Sequence, residues 1–215
     1  MAIADKKTYL SALKKIMKAK WPLNRTVKIV CHGHSVPAGY FKTPVVDTFN
    51  SYPQLLHLAL KKKYPFAVLN VGVTAIGGET SLAGAKRFKK DVLALRPDIL
   101  TIDYSLNDRG LGLPVAKQAW SKMIKAAKKE GIKVLLLSPT PDSREDIKDL
   151  SAPLHKHTAQ VKKLAVKFNV GYVDSYKLFT KKAFKGEKVE KYLSQVNHPN
   201  KMGHILVAKE LIKWF

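Results

Sequence analysis

Three features are scarce in this sequence: cysteine, acidic residues and long apolar runs. The single cysteine, Cys31, excludes a disulfide within the chain. No apolar run approaches the roughly 20 residues that a transmembrane helix needs. Residues 1–7 also lack the apolar segment of a secretion signal. From these absences we expect no transmembrane segment, and the localisation stays open, with the cytoplasm as the default.

Acidic residues and arginines are both rare beside lysine. The chain has 16 Asp and Glu against 39 Lys and Arg, a formal net charge of +23, and only five of the basic residues are arginine. Proteins that read nucleic acid rely on arginine forks and aromatic stacking, and neither is concentrated here, so we expect no specific nucleic-acid partner. The lysines form either a solvated surface or a face that attracts an anionic polymer or a membrane.

Length and composition indicate one globular domain. The chain has 215 residues, the size of a single domain, and its 46% hydrophobic content is enough for a sizeable core. We find no repeat, linker or low-complexity segment that would divide it. The sequence therefore predicts a single domain over residues 1–215.

Short apolar runs alternate with amphipathic stretches along the chain. The runs lie at residues 27–31, 66–73, 99–104, 134–137 and 170–173. Helical patterns lie at residues 51–63, 79–95, 114–130, 152–168 and 201–214, and residues 9–17 form a further amphipathic stretch that either packs as an outer helix or lies on a membrane surface. Continuous apolar strands between amphipathic helices are typical of a parallel sheet covered on both faces. The prediction is a three-layer α/β/α domain with a five-stranded parallel sheet, similar to flavodoxin.

Polar residues follow several of these predicted strands. Ser35 comes after the first strand, the loop at residues 74–78 after the second, and Asn107 after the third, while His198 precedes the last helix. The carboxyl ends of parallel strands share one edge, where such sheets bind ligands. A serine hydroxyl, an amide that can hold an oxyanion and an imidazole base are the groups that acyl transfer needs. We therefore expect these segments to meet in a hydrolytic site.

The same segments resemble the SGNH hydrolases, also called GDSL esterases and lipases. Four sequence blocks carry the resemblance: Gly33-His34-Ser35-Val36, Gly77-Gly78-Glu79-Thr80, Ser105-Leu106-Asn107-Asp108 and His198-Pro199-Asn200.

The resemblance implies a serine esterase with Ser35 as nucleophile and His198 as general base. Its oxyanion hole would consist of the Ser35 N–H, the Asn107 side chain and a backbone N–H of the second block, at Ala75 in preference to Gly72. It further implies that no cofactor or metal is needed and that the partner is a small-molecule or carbohydrate ester. The loops after the strands are short and offer no lid, which favours a short acyl group such as acetyl over a long-chain lipid.

The sequence departs from the family pattern where an acid should orient the histidine. The family usually has aspartate three residues before the histidine, and this chain has Gln195. Either the Gln195 carbonyl or a backbone carbonyl supports a Ser-His dyad, or another acid supplies the charge, with Asp174 as the first candidate. Ser105 replaces a glycine of the family pattern, which the backbone tolerates if its φ is negative.

Two other functions stay open at this point. The missing aspartate and the high charge also fit a catalytically weak module of the same fold that binds an anionic glycan or a membrane through lysines. His32 and His34 form a spaced pair that could ligate zinc, although no third ligand accompanies them. Asp108 and Arg109 either contact substrate or pair structurally.

Overall fold

The computed structural model describes residues 2–215. The helices are α1 Ser11–Lys18, α2 Ser35–Ala38, α3 Tyr52–Lys63, α4 Ser81–Asp91, α5 Ser105–Asp108, α6 Leu113–Lys129, α7 Pro153–Phe168, α8 Ser175–Phe184 and α9 Lys201–Leu211. The strands are β1 Val27–Gly33, β2 Leu69–Val73, β3 Ile99–Asp103, β4 Lys133–Leu137 and β5 Gly171–Val173. Short 3-10 helices lie at Thr48–Asn50, Leu93–Leu95, Val189–Tyr192 and Ile212–Trp214.

The five strands form one parallel sheet in the order β2-β1-β3-β4-β5. β3 is buried along its whole length and β4 everywhere except its first residue, which is why their sequences are continuous apolar runs rather than alternating ones. Helices cover both faces, with α1, α3, α8 and α9 on one apolar cluster and α4, α6 and most of α7 on the other. The predicted three-layer α/β/α architecture is confirmed.

Most predicted elements lie within a few residues of the observed ones, and the exceptions are local. Residues 66–68 were expected in a strand, but the second strand begins at Leu69, and Phe66 and Val68 are half-exposed in the preceding turn. Helix α8 was not predicted. The amphipathic stretch near the start packs as an outer helix, since Leu13 and Met17 of α1 are buried. Across residues 2–215, no helix is both long and apolar enough to cross a bilayer.

Candidate active site

Ser35 lies at the first residue of α2, immediately beyond the end of β1. The turn needs glycine at position 33, because a Cβ there would collide with the backbone carbonyl of Asp103 and the ring of Pro37. The His34 side chain caps α2 by accepting a hydrogen bond from Val36 N at 3.2 Å. The turn thus holds the Ser35 side chain at the carboxyl edge of the sheet, 6% exposed.

His198 comes to this serine from the loop before α9. That loop is fixed at both ends: Ser194 N donates to His198 O at 2.8 Å, and the Asn200 side chain caps α9 by accepting from Gly203 N. His198 Nε2 lies 2.9 Å from Ser35 Oγ, although the two residues are 163 positions apart in sequence. The distance is that of a hydrogen bond between a nucleophile and its base.

The other imidazole nitrogen, His198 Nδ1, has two neighbours of opposite character. The backbone carbonyl of Phe41 lies 2.7 Å away and can only accept a hydrogen bond. Gln195 Nε2 lies 2.9 Å away and can only donate one. A proton on Nδ1 satisfies Phe41 and leaves the Nε2 lone pair free for the Ser35 hydroxyl, whereas a bare Nδ1 satisfies Gln195 and makes Nε2 the donor. The two neighbours therefore favour different tautomers.

The Gln195 amide is held in this orientation by the loop that also carries Phe41. Gln195 Oε1 accepts from Thr43 N at 2.9 Å, and Gln195 Nε2 lies 3.1 Å from Thr43 Oγ1. The expectation that the Gln195 carbonyl would accept the imidazole N–H is thus wrong in polarity, because the Thr43 amide takes that oxygen. Of the two acceptors foreseen, the backbone carbonyl is the one next to Nδ1.

Asp174, the other candidate to orient His198, is not at the site. It follows β5, which is separated from β1 by β3 and β4. Its carboxylate caps α8 by accepting from Lys177 N at 3.2 Å, and it also accepts from the Tyr172 hydroxyl at 3.3 Å. An aspartate directly before a helix is a common N-cap, so its place after a strand had a structural cause.

The surroundings of His198 disfavour its charged form. Burial lowers its pKa below the ordinary 6.5, and His34 adds to this lowering, while the hydrogen bond to the Phe41 carbonyl opposes it. His198 is 8% exposed. The imidazole is consequently neutral at pH 7, as a general base must be.

The three expected oxyanion donors lie at the same edge of the sheet. Ser35 is the first residue of α2, so its N–H has no partner within that helix. Ile76 N and Thr74 N both donate to β1, so the Ala75 N–H between them points away from β1, and nothing described in residues 2–215 accepts it. Gly72 instead lies within β2, opposite Val30. Asn107 Nδ2 donates one hydrogen to Glu79 O at 2.9 Å and has a second hydrogen to offer.

A buried ion pair that the sequence analysis did not single out holds the loop at residues 74–80. The Arg87 guanidinium pairs with the Glu79 carboxylate and also donates to Thr74 O at 2.6 Å. The Tyr104 hydroxyl donates to Glu79 Oε2 at 2.7 Å. Burial raises the pKa of Glu79, but the hydrogen bonds from Arg87 and Tyr104 outweigh it and lower this pKa below its ordinary value. This network fixes the loop that carries Ala75.

The signal that could have identified such residues is the rarity of arginine. Arg25, Arg87, Arg109 and Arg144 each form an ion pair, although the chain has lysine nearly everywhere else that a cation is needed. Arginine provides planar, two-pronged hydrogen bonding that lysine lacks. An arginine in a lysine-rich chain therefore indicates a carboxylate partner in the fold.

His32 and His34 do not share a metal site. Both are fully buried. His32 Nδ1 lies 2.9 Å from Thr74 Oγ1, and its Nε2 faces the Tyr104 hydroxyl, whereas His34 Nε2 lies 3.4 Å from Asp103 Oδ1. Within residues 2–215, no three His, Cys, Asp or Glu side chains are grouped so that they could hold a metal ion.

Asp108 and Arg109 have structural partners, and Arg109 also lines an open cleft. The buried Asp108 accepts from Ser81 N and Trp120 Nε1 at 2.8 and 2.7 Å. Arg109 pairs with Asp142 and Glu145. The cleft has a volume of about 660 Å³, and Asn107, Arg144 and Asn197 also line it. The cleft therefore extends from Asn107 to Asn197, the residue that precedes His198.

Comparison with known proteins identifies the family. A model of the GDSL-like lipase/acylhydrolase family matches residues 31–206, most of the chain. The chain belongs to this family. The match covers all four sequence blocks, so the predicted family is confirmed. Comparison with curated protein sequences finds no match.

Three of the solved structures similar to this GDSL-family chain are esterases of low sequence identity. A two-domain esterase active on acetylated mannans is 20% identical, with a TM-score of 0.76 over 96% of this chain and 52% of its own. An acetylxylan esterase from Geobacillus stearothermophilus is 18% identical, with a TM-score of 0.72 over 87% of this chain and 93% of its own. A second acetyl xylan esterase is 20% identical, with a TM-score of 0.71 over 86% and 98%.

These structures share the fold of this GDSL-family chain. The chain spans about half the length of the two-domain esterase. The structural likeness therefore supports the α/β/α architecture, and membership in a family of lipases and acylhydrolases supports the prediction of an ester hydrolase.

Proposed function

We propose that this protein is a serine esterase that forms an acyl-enzyme on Ser35. The observation that carries the proposal is the 2.9 Å distance between Ser35 Oγ and His198 Nε2 at the carboxyl edge of the sheet. Family membership supports it, because the four blocks that bring these residues together are those of lipases and acylhydrolases. No cofactor takes part in the proposed chemistry.

In the first step, Ser35 Oγ attacks the ester carbonyl carbon. The hydroxyl proton passes to His198 Nε2 as the bond from Oγ to carbon forms. The resulting imidazolium keeps its Nδ1 proton on the Phe41 carbonyl, 2.7 Å away. The tautomer with its proton on Nδ1, which donates to the Phe41 carbonyl, is therefore the reactive one. The tautomer with its proton on Nε2, which accepts from Gln195, must first convert to the other form.

The negative charge of the tetrahedral intermediate falls on the carbonyl oxygen. The N–H groups of Ser35 and Ala75 and the free hydrogen of Asn107 Nδ2 hold this oxyanion. His198 Nε2 then protonates the leaving alcohol as its bond to carbon breaks, which leaves the acyl group on Ser35. Water then attacks the acyl carbon as His198 Nε2 takes one of its protons. The bond from this carbon to Ser35 Oγ breaks as His198 gives that proton to Oγ, and the carboxylic acid leaves.

The absence of a carboxylate beside His198 sets an expectation for rate. In serine proteases, changing the triad aspartate to its amide lowers kcat by about 10⁴-fold, because the imidazole adopts the wrong tautomer. Here Gln195 occupies that side of the imidazole, but the Phe41 carbonyl favours the correct tautomer. We expect a slower esterase than one with an aspartate, and one that still depends on Ser35.

For the substrate we propose a short acyl ester, such as an acetyl group on a carbohydrate. The similar structures include esterases active on acetylated mannans and on acetylated xylan. The open cleft of about 660 Å³ is bordered by polar side chains, among them Asn197 and Arg144, that can hydrogen-bond sugar hydroxyls.

The experiment is hydrolysis of a chromogenic acetyl ester by the wild type and by Ser35→Ala, each with and without a chelator. Ser151→Ala, at an exposed serine, is the matched control. We expect activity that is lost in Ser35→Ala and kept in Ser151→Ala, with no effect of the chelator. Equal rates in the wild type and Ser35→Ala would refute the proposal, and loss of activity with the chelator would indicate a metal-dependent hydrolase.

A second candidate function is a catalytically weak module that binds an anionic glycan through lysines. The observation that favours it is the Gln195 amide donor facing His198 Nδ1, because it stabilises the unreactive tautomer. Binding dominated by lysines weakens sharply at high ionic strength, whereas turnover of a small neutral ester changes little. Tight, salt-sensitive glycan binding with no ester turnover would favour this module over the esterase.

A further inference from the structure

The edge of the sheet opposite Ser35 carries exposed apolar side chains. Trp21 is 84% exposed and Leu23 is 86% exposed, in the loop between α1 and β1, and Phe66 is 50% exposed in the turn before β2. Neighbouring side chains leave them largely uncovered, so these three side chains contribute little to the hydrophobic core. Contiguous exposed apolar surface marks a binding surface more often than a structural one.

The loop segment that carries Trp21 and Leu23 contacts Phe66 through the residues on either side of them. Lys20 Nζ lies 4.7 Å from the centre of the Phe66 ring, and Asn24 Nδ2 donates to Phe66 O at 3.0 Å. Leu23 N donates to Lys20 O at 2.9 Å, which closes the intervening residues into a turn. Both sides of that turn therefore contact Phe66. We call Trp21, Leu23 and Phe66, together with five nearby lysines, the amino-edge patch. The lysines are Lys14, Lys18, Lys20, Lys61 and Lys63.

The lysines of the amino-edge patch are close enough to repel one another. Besides partial burial, the nearby charges of Lys63 and Lys18 lower the pKa of Lys14. Lys61 Nζ donates to the carbonyls of Pro65 and Ala67 in the turn of Phe66. The ends of α1 and α3 thus place a group of lysines directly beside the apolar side chains.

This positive charge has almost no compensation. Residues 9–28 and 52–69, which carry the patch, contain nine lysines and arginines and no carboxylate. Asp47, which lies between these two ranges, caps the 3-10 helix that precedes α3. The patch lies at the opposite, carboxyl end of α3. The nearby Asp98 carboxylate is bound by both prongs of Arg25. The charge of the patch therefore calls for an anionic partner.

We propose that the amino-edge patch docks the protein onto the surface of an anionic lipid bilayer. A Trp ring is stable at the headgroup level, Leu and Phe side chains enter the acyl boundary, and lysines near the surface attract anionic headgroups. A soluble anionic polymer would bind the lysines alone, and its binding would not involve the three exposed apolar side chains. The combination of both features selects the bilayer.

Docking of this kind would orient the Ser35 edge away from the membrane. The patch lies at the amino ends of β1 and β2, and Ser35 follows the carboxyl end of β1. The seven residues of β1 separate the two edges by roughly 20 Å. The proposed esterase would then act on material presented above the lipid, and the docking itself requires no catalysis.

Trp21 provides a direct readout of docking. The other two tryptophans, Trp120 and Trp214, are each 1% exposed, so a change in fluorescence on adding vesicles reports Trp21. With vesicles of phosphatidylcholine and phosphatidylglycerol, we expect cosedimentation, a blue shift and quenching by brominated lipid. With phosphatidylcholine alone, we expect at least tenfold weaker binding. Absence of binding to the anionic vesicles would overturn the proposal.

Two double variants with matched controls separate the apolar and the charged contributions. Trp21→Ser/Leu23→Ser keeps every charge and should weaken vesicle binding by about tenfold or more. Phe49→Ser/Leu150→Ser removes equally exposed apolar side chains elsewhere and should leave binding unchanged. Lys18→Gln/Lys63→Gln should weaken binding by about tenfold, and Lys125→Gln/Lys167→Gln much less.

Three results would contradict the docking site. Unchanged vesicle binding by Trp21→Ser/Leu23→Ser would show that charge alone acts. An equal loss in Phe49→Ser/Leu150→Ser would remove the patch as the cause. Tight binding of soluble polyphosphate without vesicle binding would replace the bilayer by an anionic polymer. Ser35→Ala should bind vesicles like the wild type, so that failure of the docking and failure of the esterase are seen separately.

Discussion

The two neighbours of His198 Nδ1 determine how well this residue acts as a base. Phe41 O accepts and Gln195 Nε2 donates, and the imidazole can satisfy only one of them at a time. When His198 takes the proton of Ser35, the imidazolium gains no compensating charge from either neighbour. The state that forms during attack on the ester is therefore stabilised less than it would be beside a carboxylate.

Gln195→Asp should raise kcat by about tenfold or more and shift the acid limb of the pH-rate profile upward. The activity needs neutral His198, whose pKa is lowered mainly by burial, so wild-type activity falls only below pH 6.5. A carboxylate near Nδ1 favours the imidazolium and raises that pKa, so that the acid loss begins at higher pH. The measurement is kcat/KM against pH for the wild type and the variant.

Gln195→Ala is the control for this shift. It removes the same contacts with His198 and Thr43 but adds no charge, and it should leave the acid limb where the wild type has it. An equal upward shift in Gln195→Ala, or no shift in Gln195→Asp, would contradict the role given to charge at this position.

Asn107→Ala should lower kcat by about 10²–10³-fold with little change in KM. The Asn107 amide donates to the oxyanion of the transition state and not to the ground-state ester, so its loss affects the chemical step. Asn197→Ala, in the same cleft, should raise KM and leave kcat nearly unchanged. Steady-state kinetics of both variants test the distinction, and full turnover in Asn107→Ala would remove that residue from the mechanism.

At the scale of residues, the sequence predicts which side chains meet but not how His198 is oriented. Ser35, Ala75 and Asn107 all follow strands of one parallel sheet, so their shared edge follows from the fold. The Phe41 carbonyl is a backbone group, and no residue type marks it. The side-chain amide of Gln195 turns its NH₂ group toward His198 because its oxygen accepts from the Thr43 N–H, 152 positions away in sequence. The prediction that Asp174 orients His198 was wrong, because an aspartate that caps a helix cannot be told from a catalytic acid by sequence alone.

At the scale of elements, the loop between β2 and α4 depends on one buried ion pair. Glu79 is 8% exposed at its side chain and accepts from both Arg87 and Tyr104. It also lies beside Asn107, whose side chain donates to the Glu79 carbonyl. The loop that carries the Ala75 N–H and the side chain of Asn107 are therefore held through the same residue.

Glu79→Gln should destabilise the protein by about 2–3 kcal/mol and lower kcat more than it raises KM. The substitution leaves the Arg87 guanidinium partly buried without its main partner, which is costly, and loosens two oxyanion donors at once. Urea unfolding and steady-state kinetics measure the two effects.

Asp91→Asn is the matched control for Glu79→Gln. Asp91 is the second carboxylate on Arg87, at 3.1 Å, but it is 34% exposed. Its loss should cost less than about 0.5 kcal/mol and leave kcat unchanged. Equal effects of the two substitutions would show that burial of the Glu79 pair is not what holds the loop.

The elements themselves were largely readable from periodicity, and the errors have local causes. Residues 66–68 extend an apolar run, but Phe66 and Val68 are half-exposed and precede the strand, which begins at Leu69. Helix α8 was missed although Tyr176, Phe179 and Ala183 have helical spacing and are buried. Lysines between them lowered the apolar content of the segment and hid the pattern.

At the scale of the whole molecule, several histidines are buried in the neutral form. Burial lowers the pKa of His204 to about 3 and that of His32 to about 4. In the unfolded chain both titrate near 6.5. As the pH falls below 6.5, the unfolded state binds protons that the folded state cannot bind. Stability is therefore complete above pH 6.5 and is lost as the pH falls toward these lowered pKa values.

The free energy of unfolding should fall by roughly 2 kcal/mol for each of these two histidines between pH 6.5 and pH 4.5. Urea unfolding at pH 7.0, 5.5 and 4.5 measures the loss. Burial raises the pKa of Asp142, but its hydrogen bonds with Arg144 and Arg109 lower it to about 2. Protonation of this carboxylate therefore reduces the free energy of unfolding only at pH values below this range. His204→Asn should reduce the slope, and a flat stability from pH 6.5 to 4.5 would contradict the buried neutral state.

Covalent labelling shows whether His198 activates Ser35 for attack. Each protein is treated with a fluorophosphonate, which reacts with activated serines, and the adduct is located by peptide mass spectrometry. We predict one adduct per chain on Ser35, none in Ser35→Ala, and labelling at least about 10²-fold slower in His198→Ala. No adduct in the wild type, an adduct on another residue, or equal labelling of His198→Ala would contradict the account.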